Sequence, residues 1–164
     1  MTDKIFSNFL SRQLVEGLAL ARRSDVFDLM PMPGDPPSRY VAVFRGSWLV
    51  QDARGQIGEV PLAAIGIQFP KDYLRIVEPT MVVTVLEPAN LWHANIKGPW
   101  ICIGAMAPGV GLVDLIYQCF EVLSYYRVSP HSPLNEAAAQ WARNQPPGRF
   151  PIDRRPLVKT ETAA

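Results

Sequence analysis

A short stretch of the chain, residues 92–102, holds the side chains best suited to chemistry. His93 and Asn95 are followed by Gly98 and then by Cys102, which stands between two isoleucines. A thiol attacks acyl groups readily, and the attack forms an oxyanion that the N–H of a carboxamide can stabilise. This pattern predicts a nucleophilic Cys102 with Asn95 as its partner, although a lone cysteine more often serves as a small buried hydrophobic residue.

The length and composition indicate one globular domain. The chain has 164 residues, of which 48% are hydrophobic and 19% charged, and its net charge of +1 argues against nucleic acid as a partner. It contains no apolar run long enough to span a membrane and no signal-peptide pattern, so we expect a cytoplasmic protein with no membrane partner. Its two cysteines are too few for a disulfide scaffold, and the spacing of His and Cys fits no metal site. We therefore expect no cofactor and no metal.

Helical periodicity marks both ends of this domain. Apolar residues at three- and four-residue steps predict a helix over Asp3–Arg23, capped by Thr2 or Asp3. The same periodicity predicts a second helix over about residues 111–127 and a third over about residues 135–144. Cys119 falls on the apolar stripe of the second helix, which predicts a buried, unreactive thiol.

The middle of the chain reads as β-structure. Aromatic and β-branched residues predict strands over Tyr40–Gln51, Leu62–Phe69 and Met81–Leu86, and prolines predict a loop over Pro31–Ser38. Consecutive strands without intervening helices indicate an antiparallel meander, and hence an α+β domain. The proline-rich tail, Gln145–Ala164, is expected to be loosely attached or disordered.

This order of elements, together with four motifs, resembles the ubiquitin-conjugating enzymes, the E2 proteins of the UBC fold. The motifs, in family order, are Phe69–Pro79, His93–Ile96, Gly98–Ile103 and Ser132–Ala138. The resemblance implies a UBC-like fold with an N-terminal helix, a four-stranded antiparallel meander, an active-site loop and two C-terminal helices. The corresponding domain covers residues 1–145, and a proline-rich tail covers residues 146–164.

Three departures from the family pattern indicate which group of E2 proteins the chain resembles. Ala94 replaces the family's proline, Cys102 follows Asn95 by seven positions rather than eight, and the Trp-Ser-Pro-Ala segment that helps dock RING-type ligases is missing. With these departures the chain looks more like the stand-alone E2-like proteins of bacterial ubiquitin-like conjugation operons, which resemble antiphage systems. E2-like proteins of cyclic-oligonucleotide defence systems remain a second candidate group.

The resemblance implies a role for each candidate site residue. Cys102 would accept a ubiquitin-like protein from an E1-like enzyme as a thioester and pass it to a lysine of a protein target. Asn95 would stabilise the oxyanion or brace the loop, and His93 would support the loop as a neutral imidazole. Ser132, with His131 beside it, would orient the incoming amine, unless Ser132 merely starts the last helix.

Two other interpretations stay open at this point. The chain could be a non-catalytic E2 variant that serves as a binding module, although such variants lack the cysteine. A thiol redox enzyme or a peptidase is less favoured, because the chain has no Cys-x-x-Cys motif. Residues 125–127, which follow the second helix, are interpreted as packing and solvated surface.

Overall fold

A four-stranded antiparallel sheet forms the centre of the protein. The computed structural model describes residues 3–128 and 132–160. The strands lie in sequential order, and their bounds are β1 Phe27–Pro31, β2 Arg39–Gln51, β3 Ile57–Gln68 and β4 Val83–Glu87. The predicted α+β class and the antiparallel four-stranded meander are therefore confirmed.

Four helices and a small hairpin complete the fold. Their bounds are α1 Lys4–Arg22, α2 Pro79–Val82, β5 Ile96–Lys97, β6 Trp100–Ile101, α3 Leu112–Leu123 and α4 Glu136–Arg143. The three predicted helices are confirmed, and the Asp3 carboxylate caps α1 by accepting from the backbone N–H groups of Ile5 and Phe6. Within the described ranges, none of these helices combines the length and the apolar character needed to cross a membrane.

The core lies between one face of the sheet and the helices α1 and α3. Phe9 of α1 meets Phe69 edge to face, with ring centroids 5.2 Å apart, and Phe120 of α3 stacks near Phe44 of β2. The two helices are also joined by the buried Gln13, whose Oε1 accepts from the backbone N–H of Leu112 at 2.7 Å. Gln13 thereby satisfies a free N–H at the start of α3.

The observed strands differ from the predicted ones where burial is weak. β3 begins at Ile57 rather than Leu62, because its first half is mostly exposed and carries no alternating apolar pattern. β1 was not located in the sequence, since only Phe27 and Leu29 of its five residues are buried. The predicted strand from Met81 begins instead at Val83, after α2, whose first residue Pro79 suits the first turn of a helix.

The C-terminal segment is attached to the domain over residues 145–160, which we call the C-terminal strap. Leu157 is buried in the main core, and the Ile152 backbone N–H donates to the Ser124 carbonyl at 2.8 Å. Asp153 accepts from the backbone N–H of Ser47 at 3.2 Å and pairs with Arg155 at 2.9 Å. The expectation of a loose tail is wrong for these residues, because apolar and charged anchors stand between the prolines.

The strap crosses β2 at an irregular point of its pairing with β3, between Arg45 and Trp48. Gly46 lies there, and a Cβ on it would come within 2.7 Å of the Asp153 carboxylate and 2.5 Å of the Trp48 ring. The absence of a side chain at Gly46 therefore allows the strap to approach the strand closely.

Candidate functional site

The hairpin β5–β6 presents Cys102 to solvent. Its two-residue turn consists of Gly98, with a left-handed φ of 58°, and Pro99. Ile96 pairs with Ile101 and both are buried, whereas the other pair of the hairpin, Lys97 and Trp100, is exposed. Cys102, which directly follows β6, has an exposed side chain.

Asn95 and Cys102 form the next pair of this hairpin. The backbone N–H of Cys102 donates to the Asn95 carbonyl at 2.8 Å, as in a regular antiparallel pair. The return bond is different, because the Asn95 N–H donates to Nδ1 of His93 at 2.9 Å. The side-chain Nδ2 of Asn95 takes its place and donates to the Cys102 carbonyl at 3.0 Å. Asn95 thus holds both the backbone N–H and the backbone carbonyl of Cys102.

His93 supports this clamp from inside the protein. It is buried, and the centroid of its ring lies 4.2 Å from the centroid of the Tyr125 ring. Burial lowers the pKa of His93 to about 4, partly opposed by the backbone of Arg127. The imidazole is therefore neutral at neutral pH, and its Nδ1 is free to accept from the Asn95 N–H.

Arg127 holds the chain on the other side of Cys102. Its Nη1 donates to the Ile103 carbonyl at 2.6 Å, and its Nη2 lies 2.8 Å from the Glu121 carboxylate. Gly104 follows with a left-handed φ of 101°, and a Cβ there would lie 3.3 Å from Nη1. Sequence reasoning placed Arg127 on the solvated surface, because nothing in the pattern signals a contact across 24 positions.

Tyr125 connects the site to the C-terminal strap. This residue has a left-handed φ of 64°, which is unusual for a bulky side chain. Its buried hydroxyl donates to the carbonyl of Trp92, next to His93, and burial raises the pKa of this hydroxyl. The ring of Phe150 stacks on Tyr125 with centroids 4.5 Å apart. Phe150 of the C-terminal strap therefore packs against Tyr125, which in turn holds the loop at Trp92.

The start of α4 lies against the same loop. Asn135 caps this helix by accepting from the Ala138 N–H, and its own backbone N–H donates to the Ala94 carbonyl at 3.0 Å. Ser132 is exposed and precedes Asn135 by three residues, a span of at most about 11 Å of extended chain. Asn135 rather than Ser132 caps α4, so Ser132 lies in the segment that leads into this helix. His131 lies outside the described residues.

Of the two cysteines, only Cys102 is accessible. Cys119 is completely buried on α3, and burial raises the pKa of its thiol to about 12, so this thiol stays protonated. Its predicted burial is confirmed. Within residues 3–128 and 132–160, no group of three or more His, Cys, Asp or Glu side chains could hold a metal ion.

The arrangement suits a thiol that must carry an acyl group in a fixed position. The sulfur side of Cys102 is open to solvent, while its backbone is held by Asn95 and the next residue by Arg127. No protein-family model matches the chain, and no curated protein matches it either.

Proposed function

We propose that the protein is an E2-like conjugating enzyme. It accepts a ubiquitin-like protein from an E1-like enzyme as a thioester on Cys102 and transfers it to an amine, normally a lysine, of a protein target. The observation that carries this proposal is the exposed Cys102 on a hairpin braced from both sides, while the other cysteine is buried. The order of helix, meander, hairpin and two helices is also compatible with the UBC-like fold that the motifs imply.

Loading is a thiol exchange. The Cys102 thiolate attacks the thioester carbonyl carried by the E1-like enzyme, a new C–S bond forms, and the E1 thiol leaves. Because both species are thioesters, the acyl group keeps its reactivity towards amines. An exposed sulfur on a rigid hairpin permits this exchange between two large partners without rearrangement of the loop.

Transfer places an amine at the same carbonyl. The amine must lose a proton before or during attack, and the exposed Ser132 near the start of α4 would orient it. The Asn95 side chain already donates to the Cys102 carbonyl at 3.0 Å, which favours its bracing role over that of oxyanion donor. The neutral His93 holds Asn95 rather than acting as a base.

The biological setting in this proposal follows from the resemblance. Stand-alone E2-like proteins of bacterial ubiquitin-like conjugation operons work beside E1-like and ubiquitin-like partners in the cytoplasm, in systems that resemble antiphage defence. We place the protein in such a system, with a protein target rather than nucleic acid or a membrane.

A thioester assay tests the proposal. The chain is incubated with ATP and with the E1-like and ubiquitin-like proteins of its own genome, and products are resolved on gels without and with reductant. We expect an adduct that reductant removes, that is lost in Cys102→Ala and that persists in Cys119→Ala. An adduct that survives in Cys102→Ala would refute the role of Cys102. Binding of the ubiquitin-like protein without any adduct would favour the non-catalytic binding module.

A further inference from the structure

We propose that Lys97 is an intramolecular acceptor of the acyl group carried by Cys102, so that the protein modifies itself at this lysine. The inference rests on the proposed function of Cys102 as an acyl carrier. It comes from the register of the hairpin, which places the exposed side chains of Lys97 and Cys102 on the same face.

The register defines this face. Lys97 pairs with Trp100 across the hairpin, and Cys102 lies two residues after Trp100 in the continuation of β6. Side chains of a directly opposed pair, and of residues two apart, project from the same face. The buried Ile96 and Ile101 occupy the opposite face, and the side chains of Lys97, Trp100 and Cys102 are exposed.

Lys97 and Cys102 are diagonal neighbours in this arrangement. The Cα atoms of diagonal neighbours lie about 7–8 Å apart, a separation that long side chains can bridge. The four methylenes of lysine therefore bring its amine within reach of a carbonyl attached to the Cys102 sulfur. Trp100 lies directly opposite Lys97 in this register.

The backbone between the two residues is held in place. Pro99 in the turn accepts from the Val85 N–H of β4 at 2.9 Å, and Asn95 clamps the other end of the hairpin. Lys97 forms no ion pair with any residue that the structure describes. Its amine is therefore not withheld from Cys102 by a carboxylate, and only its side chain must move.

The other lysines of the chain are placed differently. The sequence has four, Lys4, Lys71, Lys97 and Lys159. Lys4 begins α1, Lys71 follows the end of β3, and Lys159 pairs with Asp25 at 2.9 Å. None of these three belongs to the hairpin of Cys102, so Lys97 has the only direct route along that hairpin to the thioester.

The reaction is a sulfur-to-nitrogen acyl shift. The neutral amine of Lys97 attacks the thioester carbonyl, a C–N bond forms, and the C–S bond breaks. Cys102 leaves as a thiolate, and the proton lost by the nitrogen is taken up by the thiolate or by solvent. The products are an isopeptide on Lys97 and a free Cys102 thiol, and no oxidant or further reactant is needed.

A chemical acyl donor tests the shift without any partner protein. The chain is treated with the 2-mercaptoethanesulfonate thioester of glycylglycine, which loads Cys102 by thiol exchange, and acylation is followed by peptide mass spectrometry. We expect acylation of Lys97 at least about tenfold faster than that of Lys71, because the tethered acyl group has a high effective concentration. The first-order rate of the shift should not change when the protein is diluted tenfold.

Three variants separate the outcomes. Acylation at Lys97 should disappear in Cys102→Ala and in Lys97→Arg, which keeps its charge, and should be unchanged in Lys71→Arg. Loading of Cys102 without acylation of Lys97, or equal acylation of Lys97 in Cys102→Ala, would overturn the inference and leave the carrier role intact. A normal shift from the chemical donor, with no loading by the E1-like enzyme, would instead overturn the proposed function.

Discussion

Replacing Asn95 with alanine separates its bracing role from that of an oxyanion donor. The change removes the bond from Nδ2 to the Cys102 carbonyl but leaves the backbone bond from the Cys102 N–H in place. A neutral hydrogen bond of this kind contributes about 1 kcal/mol to stability. A loss of about 1.4 kcal/mol of transition-state stabilisation slows a reaction about tenfold. Even if the whole energy of this bond is lost in the transition state, acyl transfer should therefore slow by no more than about tenfold.

The measurement is single-turnover discharge of the Cys102 thioester to free lysine, with the free energy of unfolding from urea titration in parallel. Asn90→Ala is the matched control. Its Nδ2 also donates to a backbone carbonyl, that of Gln51 at 2.9 Å, but this bond is exposed and lies outside the hairpin of Cys102. We expect discharge from Asn90→Ala at the wild-type rate, and a loss of about 1 kcal/mol in stability for Asn95→Ala.

A different result would contradict the bracing role. Loss of an oxyanion donor lowers rates by about 10²–10³ and need not affect folding. A discharge rate reduced more than about a hundredfold in Asn95→Ala, with the free energy of unfolding unchanged, would show that its amide turns towards the reacting carbonyl.

Three further changes test the support of the site. Tyr125→Phe should lower stability by about 1–2 kcal/mol, because the buried carbonyl of Trp92 loses its donor, and urea titration that finds no loss would contradict this contact. Leu157→Ala should cost about 2–4 kcal/mol if the strap belongs to the core, against less than about 1 kcal/mol for the more exposed Leu134→Ala. Burial lowers the pKa of His93 to about 4 in the folded protein, against about 6.5 in the unfolded chain, so protonation of this residue favours unfolding. The contribution of the neutral imidazole to stability is therefore complete above about pH 6.5 and is lost as the pH falls towards 4. Unfolding measured at pH 7 and pH 4.5 should differ by about 2 kcal/mol from this group, and the difference should shrink in His93→Gln.

The sequence predicted those parts of the fold in which local pattern and burial agree. Helices α1, α3 and α4 were found because their apolar residues recur with helical period and meet the core. The burial of Cys119 followed from the same pattern. The first half of β3 and the whole of β1 escaped because few of their side chains are buried, so neither gives the alternation that marks a half-buried strand.

The contacts around Cys102 were predictable only in part. Asn95 could be identified because it lies close to Cys102 in sequence and the hairpin brings the two together. Arg127 and Tyr125 act on the same loop across 24 and 33 positions, and an arginine or a tyrosine after a helix gives no local signal of such a contact. The strap was misinterpreted because its proline content is typical of loose segments, whereas a few anchors such as Leu157 decide its position.

The strap also bears on the order in which the protein folds during synthesis. Its contacts are among the most distant along the chain, such as the bond from the Ser24 hydroxyl to the Leu157 carbonyl and that from the Lys159 N–H to the Arg23 carbonyl. Residues 145–160 are translated after the sheet, the hairpin and helices α1–α4, so the part of the core that Leu157 covers is open to solvent until they emerge from the ribosome. Domains dominated by such long-range contacts fold more slowly than those with local ones. Completion of the core is therefore a late step, and a nascent chain halted after α4 would contain Cys102 without the segment that secures Tyr125.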